Sequence, residues 1–180
     1  MRLFFSFLML GLLLMIFQSA LAQWVSPPWC PDLGLLLVVA LALRWPVLTT
    51  GLFLVAMLGF AADILSGSLL GQQALLRILA FTGAFVAGQK FNLKGTWPLV
   101  IFVFSVTFIY GVTIYLSSLF FGAAVAGQVW GWLIDNFWHA CINALFAPAV
   151  LSLCSRVFSW VNGQLGTERS LHMQADGGSI

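Results

Sequence analysis

The chain has 180 residues, of which 62% are hydrophobic and 7% are charged, and its net charge is +2. Soluble globular domains carry charge on about a quarter of their residues, so the composition excludes an ordinary water-soluble domain and indicates a polytopic membrane protein. Seven basic residues are too few to build a phosphate-binding face, which argues against nucleic acid as a partner.

Long apolar runs divide the chain into six predicted membrane-spanning helices, because a helix needs about 20 apolar residues to cross a bilayer. We place them at residues 3–24, 28–45, 47–65, 69–88, 97–121 and 129–153. The first run has the three-part form of a cleaved secretory signal, but it exceeds a usual signal core, so we favour a retained helix. Residues 1–155 then form one all-α transmembrane domain. The polar residues 156–180 form a flexible cytoplasmic tail.

Basic residues and tryptophans predict the orientation. Cytoplasmic loops are enriched in Lys and Arg, and tryptophans gather at both membrane interfaces. With the N-terminus inside, six of the seven basic residues fall on the cytoplasmic side, namely Arg2, Arg44, Lys90, Lys94, Arg156 and Arg169. Tryptophans lie near the ends of the spans, apart from Trp138. We therefore expect six spans with both termini in the cytoplasm.

The connection between the third and fourth spans is the most informative stretch of the chain. It reads Asp-Ile-Leu-Ser-Gly-Ser-Leu-Leu-Gly-Gln-Gln from Asp63 onward. Gly67 and Gly71 can adopt backbone conformations that other residues avoid. Ser66 or Ser68 is suited to cap the following helix, whose first amide groups lipid cannot satisfy. The pattern predicts a tight turn between two packed helices.

Among the polar side chains inside the otherwise apolar spans, the candidates for a cluster are Asp63, Arg77, Asp135, His139 and Asn143. Residues 135, 139 and 143 are spaced i, i+4, i+8 and therefore share one helix face. Ionisable residues at membrane depth are costly and mark functional or assembly sites. We predict one inward-facing polar cluster in which Arg77 pairs with Asp63 or Asp135 and holds the bundle together. A ligand pocket, a partner contact and a proton or ion path are the alternatives.

Catalytic and metal chemistry are not indicated. One histidine with two carboxylates supplies too few ligands for a metal site. A Ser66–His139 dyad would need both side chains within hydrogen-bond reach, and a serine beside glycine in a turn is more often a helix cap. The three cysteines have no metal or redox spacing. We expect no enzyme activity, no cofactor and no metal.

Small residues form a line on the fourth span. Ala80, Ala84 and Gly88 follow the small-xxx-small spacing that lets another helix backbone approach closely. The line serves either packing within the bundle or contact with a separate membrane protein.

The stretch from Asp63 to Gly71, followed by Ala74-Leu75, resembles the central signature of the MreD family of rod shape-determining membrane proteins. Two further pieces are similar: Pro31-Asp32 before a Leu/Val-rich span ending at Arg44, and Phe137-Trp138 followed by Asn143 and Pro148. The likeness covers roughly residues 28–156. Gln72-Gln73 and His139 do not belong to the family pattern, so His139 inherits no role from it.

The resemblance implies a non-enzymatic scaffold of the cell-elongation machinery in the bacterial inner membrane. Its partners would be MreC, the MreB cytoskeleton, the peptidoglycan synthase RodA and a penicillin-binding transpeptidase. Its fold would be similar to the six-helix substrate-binding subunits of energy-coupling-factor transporters. A transporter subunit that binds a small vitamin-like solute is the alternative function, and fold alone does not separate the two.

Overall fold

A computed structural model describes residues 2–25, 28–66, 70–91, 95–120 and 129–176. These residues are all-helical and contain no β-strand. The six helices are α1 (Arg2–Ala22), α2 (Leu33–Arg44), α3 (Leu48–Ser66), α4 (Gln72–Lys90), α5 (Thr96–Phe120) and α6 (Val129–Asp176). They follow one another in the order predicted from the apolar runs.

Four of the helices are long and apolar enough to cross a membrane. They are α1, α3, α5 and the part of α6 from Val129 to Val161. Helix α4 has 19 residues but is less apolar, and α2 has only 12 residues, about 18 Å at 1.5 Å per residue. The length and apolar character of these helices are consistent with a membrane protein, and the count of six spans stays a prediction.

Helix α2 is the centre of the bundle. Every residue from Leu33 to Ala42 is buried, as expected for a helix that is apolar on all sides and must be surrounded by others. It packs against each of the other five helices. It starts later than the predicted second span because Asp32 caps it: the Leu35 amide donates to Asp32 Oδ1 at 2.9 Å.

Helix α6 is longer than the sequence predicts. It continues past residue 153 to Asp176, so residues 156–176, which were expected to form a polar tail, are helical. Apolar side chains explain the first turns of the extension, since Val161 is buried and the ring of Phe158 lies 6.3 Å from that of Phe7 on α1. Pro148 lies inside the helix, where its ring removes one backbone donor.

Helices α3 and α4 form a tight hairpin, and α5 pairs with α6. A Cβ on Gly59 would collide with the backbone of Ala74, so the α3 and α4 backbones nearly touch. Gly71, before α4, has a φ of +94°, which is left-handed and favours glycine. On the other pair, Gly111 of α5 leaves room for the side chain of Asn136, which donates to the Phe108 carbonyl at 3.2 Å.

Candidate functional site

Asp63 organises the start of α4 from the end of α3. Its side chain is buried, with an exposed fraction of 1%. Its two oxygens accept hydrogen bonds from the amides of Gly71 at 2.9 Å, Gln73 at 2.8 Å and Ala74 at 3.4 Å. The first amides of a helix have no partner within the helix, and a carboxylate there also meets the positive end of the helix dipole. Asp63 therefore caps α4 across the hairpin.

This arrangement changes the predicted role of the serines in the turn. The residue at the N-cap position of α4 is Gly71, which has no side chain with which to cap the helix. Ser66 Oγ instead donates to the Asp63 carbonyl at 3.4 Å, so the predicted cap by Ser66 is replaced by Asp63. Ser68 and Gly67 lie outside the described residues.

Arg77 makes its ion-pair contact with a carboxylate that the sequence analysis did not consider. Its Nη2 atom lies 3.9 Å from Asp32 Oδ1. The predicted pairing with Asp63 or Asp135 is wrong: Asp63 is engaged by amides at the start of α4, and Asp135 is exposed on α6. The guanidinium packs where Gly34 has no side chain, and this close approach brings Arg77 to the start of α2.

The buried face of α6 is rotated relative to the predicted face. The buried line runs through Asn136, Ala140, Asn143 and Ala147, so Asp135 lies outside it and His139 lies at its edge. The predicted face of residues 135, 139 and 143 is therefore only partly inward. The polar cluster is not a single unit, since Asp135 takes no part in the contacts around Arg77.

His139 and Asn143 instead hold the segment that precedes α2. Asn143 Oδ1 accepts from the Asp32 amide at 2.8 Å. His139 Nδ1 lies 3.3 Å from the Pro28 carbonyl oxygen, and its Nε2 lies 3.4 Å from Asn143 Nδ2. Both ring nitrogens are thus within reach of other groups, and the ring is not directed at Ser66. The Ser66–His139 dyad has no support in this geometry.

A polar crevice surrounds Arg77 at the predicted external end of the bundle. Its volume is about 230 Å³, and it is bounded by α1, α3, α4 and α5 and by Asp32 at the start of α2. Its polar lining consists of Gln18, Ser19, Asp32, Ser66, Gln73, Arg77 and Tyr110. We call it the Arg77 crevice. Sequence reasoning missed Asp32, Gln18, Gln73 and Tyr110; the available signal was the Pro-Asp pair directly before an apolar run, which is typical of a helix cap.

A second, larger cavity lies between α4 and α5. Its volume is about 780 Å³. The α4 side of its lining includes Leu76, Ala80, Gly83, Ala84, Ala87 and Phe91, and the α5 side includes Trp97, Phe102, Val106, Tyr110 and Thr113. We call it the α4–α5 groove. Two residues of the predicted small-residue line, Ala80 and Ala84, lie in it, whereas Gly88 packs close to Leu43 of α2. The small-residue line therefore contributes both to packing within the bundle and to the lining of the groove.

The two ends of the α4–α5 groove are fixed and its middle is open. At the predicted external end, Tyr110 Oη donates to Gln73 Oε1 at 2.7 Å, and Gln72 Nε2 donates to Ser117 Oγ at 2.8 Å. At the other end lie the C-terminus of α4 and the N-terminus of α5, which follow each other in the chain. Between them α5 packs mainly against α6 and only sparsely against α4, which leaves the groove open to the bundle surface.

The described residues contain no group of three His, Cys, Asp or Glu side chains that would hold a metal ion. Comparisons with protein-family models, curated proteins and solved structures find no match to the chain. The two cavities and the contacts around them are therefore the observations from which a function can be proposed.

Proposed function

We propose that the protein is a membrane scaffold of the bacterial cell-elongation machinery, with six spans and both termini in the cytoplasm. The resemblance of the Asp63–Gly71 stretch to MreD supports the biological setting, and the α4–α5 groove supports the mode of action. The scaffold binds a membrane-spanning helix of an MreC-like partner in the groove. Through that partner it joins MreB, RodA and a penicillin-binding transpeptidase in the inner membrane.

The shape of the α4–α5 groove is the single observation that carries this proposal. Along α4 its lining runs from Leu76 to Phe91, which is about 22 Å at 1.5 Å per residue. That length accommodates four turns of a second helix. The lining includes Ala80, Gly83, Ala84 and Ala87, small residues that permit the close backbone contact by which membrane helices associate.

The chemistry of the groove favours an apolar helix as its occupant. The hydroxyls of Ser105 and Thr113 donate to carbonyls of their own helix, at 2.9 and 2.8 Å, and Tyr110 donates to Gln73. Among the residues that the structure describes, those that line the groove carry no charge. A helix gains close packing against the small residues of α4, and a fluid acyl chain gains less from the same surface.

The alternative, a transporter subunit for a vitamin-like solute, fits neither cavity. Sites for drug-sized ligands measure about 300–1,000 Å³ and place a few polar groups around the ligand. The Arg77 crevice is smaller, at about 230 Å³. The α4–α5 groove is large enough, but its hydroxyls are already bonded to other groups of the protein and it opens sideways. We therefore favour the scaffold.

Filling the groove tests the proposal. A Cβ at Gly83 would meet no atom of the protein within 4 Å, so Gly83→Leu adds an apolar side chain at the groove from a position where its first carbon has open space. Gly131 on α6 is equally open and exposed, so Gly131→Leu is the matched control. We expect Gly83→Leu to reduce co-purification of an MreC-like partner at least about tenfold in mild detergent, a loss of about 1.4 kcal/mol in binding. Gly131→Leu should retain it.

The same two variants are then tested in a rod-shaped host that depends on this protein. Rounded cells with Gly83→Leu and rods with Gly131→Leu are the expected pair. Normal co-purification and rod shape with a folded Gly83→Leu protein would rule out the groove as the partner site. Normal shape together with defective vitamin uptake in a deletion strain would instead favour the transporter.

A further inference from the structure

The Arg77 crevice contains a buried cation whose hydrogen bonds are incomplete. Arg77 has an exposed fraction of 5%, and its Nε and Nη1 atoms are buried with no hydrogen-bond partner. Its Nη2 atom faces Asp32 at 3.9 Å, which is longer than a hydrogen bond. Leaving a buried charged donor unsatisfied is costly. The crevice beside the guanidinium is therefore a place where an acceptor group would be stabilised.

The two glutamines of the crevice also keep donor groups, because their amide oxygens already accept hydrogen bonds. The amide oxygen of Gln18 accepts from the Gly34 amide at 3.2 Å, and that of Gln73 accepts from Tyr110 at 2.7 Å. Each glutamine therefore keeps its NH₂ group as a donor. Asp32 is the one carboxylate of the lining, and it already accepts from Leu35 and faces Arg77. The balance of the lining is toward donors.

The crevice is open to the surface on one side. Ser19 and Ala22 on α1 and Leu65 and Ser66 on α3 are exposed residues of its lining. These four residues stand at the ends of their helices, so they form a mouth at the predicted external end. Arg77 lies deeper, in the second turn of α4. A small polar group can therefore enter without passing through the apolar interior.

We propose that the Arg77 crevice binds a small oxyanion group, a phosphate or a carboxylate, through the Arg77 guanidinium and the amide groups of Gln18 and Gln73. The volume of about 230 Å³ limits the bound part to a group of this size. The guanidinium matches the planar, bidentate geometry of both oxyanions. The group belongs either to a free solute or to a lipid headgroup. This site adjoins the α4–α5 groove at Tyr110, which lines both, but it does not depend on the scaffold proposal.

The test uses the full chain purified in mild, uncharged detergent. Thermal unfolding is followed by tryptophan fluorescence while one of three probes is titrated at constant ionic strength, with chloride as the reference: inorganic phosphate, acetate, or dihexanoylphosphatidylglycerol. At a hundredfold excess over Kd, a specific ligand raises the midpoint by roughly 5–10 °C for a chain of this size. A response to phosphate or acetate identifies a free solute, and a response to the lipid alone identifies a headgroup.

Adjacent glutamines supply a matched pair of variants. Gln73→Met removes a crevice donor and one hydrogen bond to α5, whereas Gln72→Met removes one hydrogen bond to α5, with Ser117, but no crevice donor. We expect Gln73→Met to weaken binding about tenfold or more and Gln72→Met to leave it unchanged. If Gln73→Met does not fold, Gln18→Met replaces it. No saturable shift with any probe, or equal affinity in all variants, overturns the proposal.

Discussion

Replacing Asp63 tests whether a carboxylate on one helix holds the start of the next. Asp63→Ala removes the acceptor for the amides of Gly71, Gln73 and Ala74 at once. These amides lie at the start of α4, where no preceding helical turn can receive them. Bulk water does not reach this buried position easily. The perturbation therefore acts on one helix end while leaving the apolar packing of α3 nearly unchanged.

The magnitude follows from the two short bonds. A buried donor left without a partner costs about 1–3 kcal/mol, and the amides of Gly71 and Gln73 lie at 2.9 and 2.8 Å from the carboxylate. The third bond, at 3.4 Å, contributes less. An ordinary N-cap loss amounts to about 0.5–2 kcal/mol. We expect Asp63→Ala to lower the free energy of unfolding by about 3–5 kcal/mol, above the range for a surface cap.

The assay is unfolding of the purified chain in mixed micelles, with the denaturing detergent fraction increased stepwise and tryptophan fluorescence as the signal. Asp135→Ala is the matched control, because it makes the same chemical change at an exposed position of α6; it should shift the free energy by about 0.5 kcal/mol or less. Asp63→Asn keeps one side-chain oxygen and should fall between the wild type and Asp63→Ala.

Two outcomes would refute this reasoning. If Asp135→Ala destabilises the chain as much as Asp63→Ala does, then removal of any acidic residue is harmful and the cap is not the cause. If Asp63→Asn and Asp63→Ala lose the same amount, then the charge rather than the acceptor geometry stabilises α4.

Two further predictions concern neighbouring contacts. Asp32→Ala should lower the free energy of unfolding by about 3–5 kcal/mol, because it leaves the buried charge of Arg77 alone. Arg77→Ala should cost less, because the Asp32 side chain that it leaves is only partly buried. The double variant should lose less than the sum, and simple additivity would show that the pair does not interact. Gly59→Ala should destabilise the free protein by about 1–3 kcal/mol, because the added Cβ meets the α4 backbone. Gly83→Ala should be neutral or stabilising, because its Cβ meets no atom. Equal unfolding midpoints for the two variants would contradict the close approach of α3 and α4.

Helix order was accessible from the sequence because apolar runs and turn residues repeat along the chain. The predicted third and fifth spans, 47–65 and 97–121, differ by one residue at each end from Leu48–Ser66 and Thr96–Phe120. The predicted and observed boundaries differ more where a single side chain determines the residue at which a helix begins. Asp32 delays the start of α2 to Leu33 by capping it, and composition alone does not show that α6 continues as a helix after residue 153.

The polar contacts were only partly accessible, because sequence spacing gives a helix face but not its rotation in the bundle. Spacing placed Asp135, His139 and Asn143 on one face, yet the buried line passes through Asn136 and Asn143 and leaves Asp135 exposed. The partner of Arg77 likewise depends on which helix start packs beside α4, and sequence spacing does not give that packing. Asp32, near the start of the predicted second span, provides the carboxylate that Asp63 or Asp135 was expected to provide.

Three polar side chains, Asp63, Asp32 and Asn143, hold helix starts and thereby connect four of the six helices. Asp63 caps α4, Asp32 caps α2, and Asn143 holds the Asp32 amide from α6. These contacts fix α2, α3, α4 and α6 relative to one another. Helix α5 is tied to α4 by two hydrogen bonds near one end and elsewhere leaves the α4–α5 groove unfilled. A rigid frame beside an apolar groove suits a protein that acts by holding another helix, since the frame does not have to rearrange when the groove is occupied.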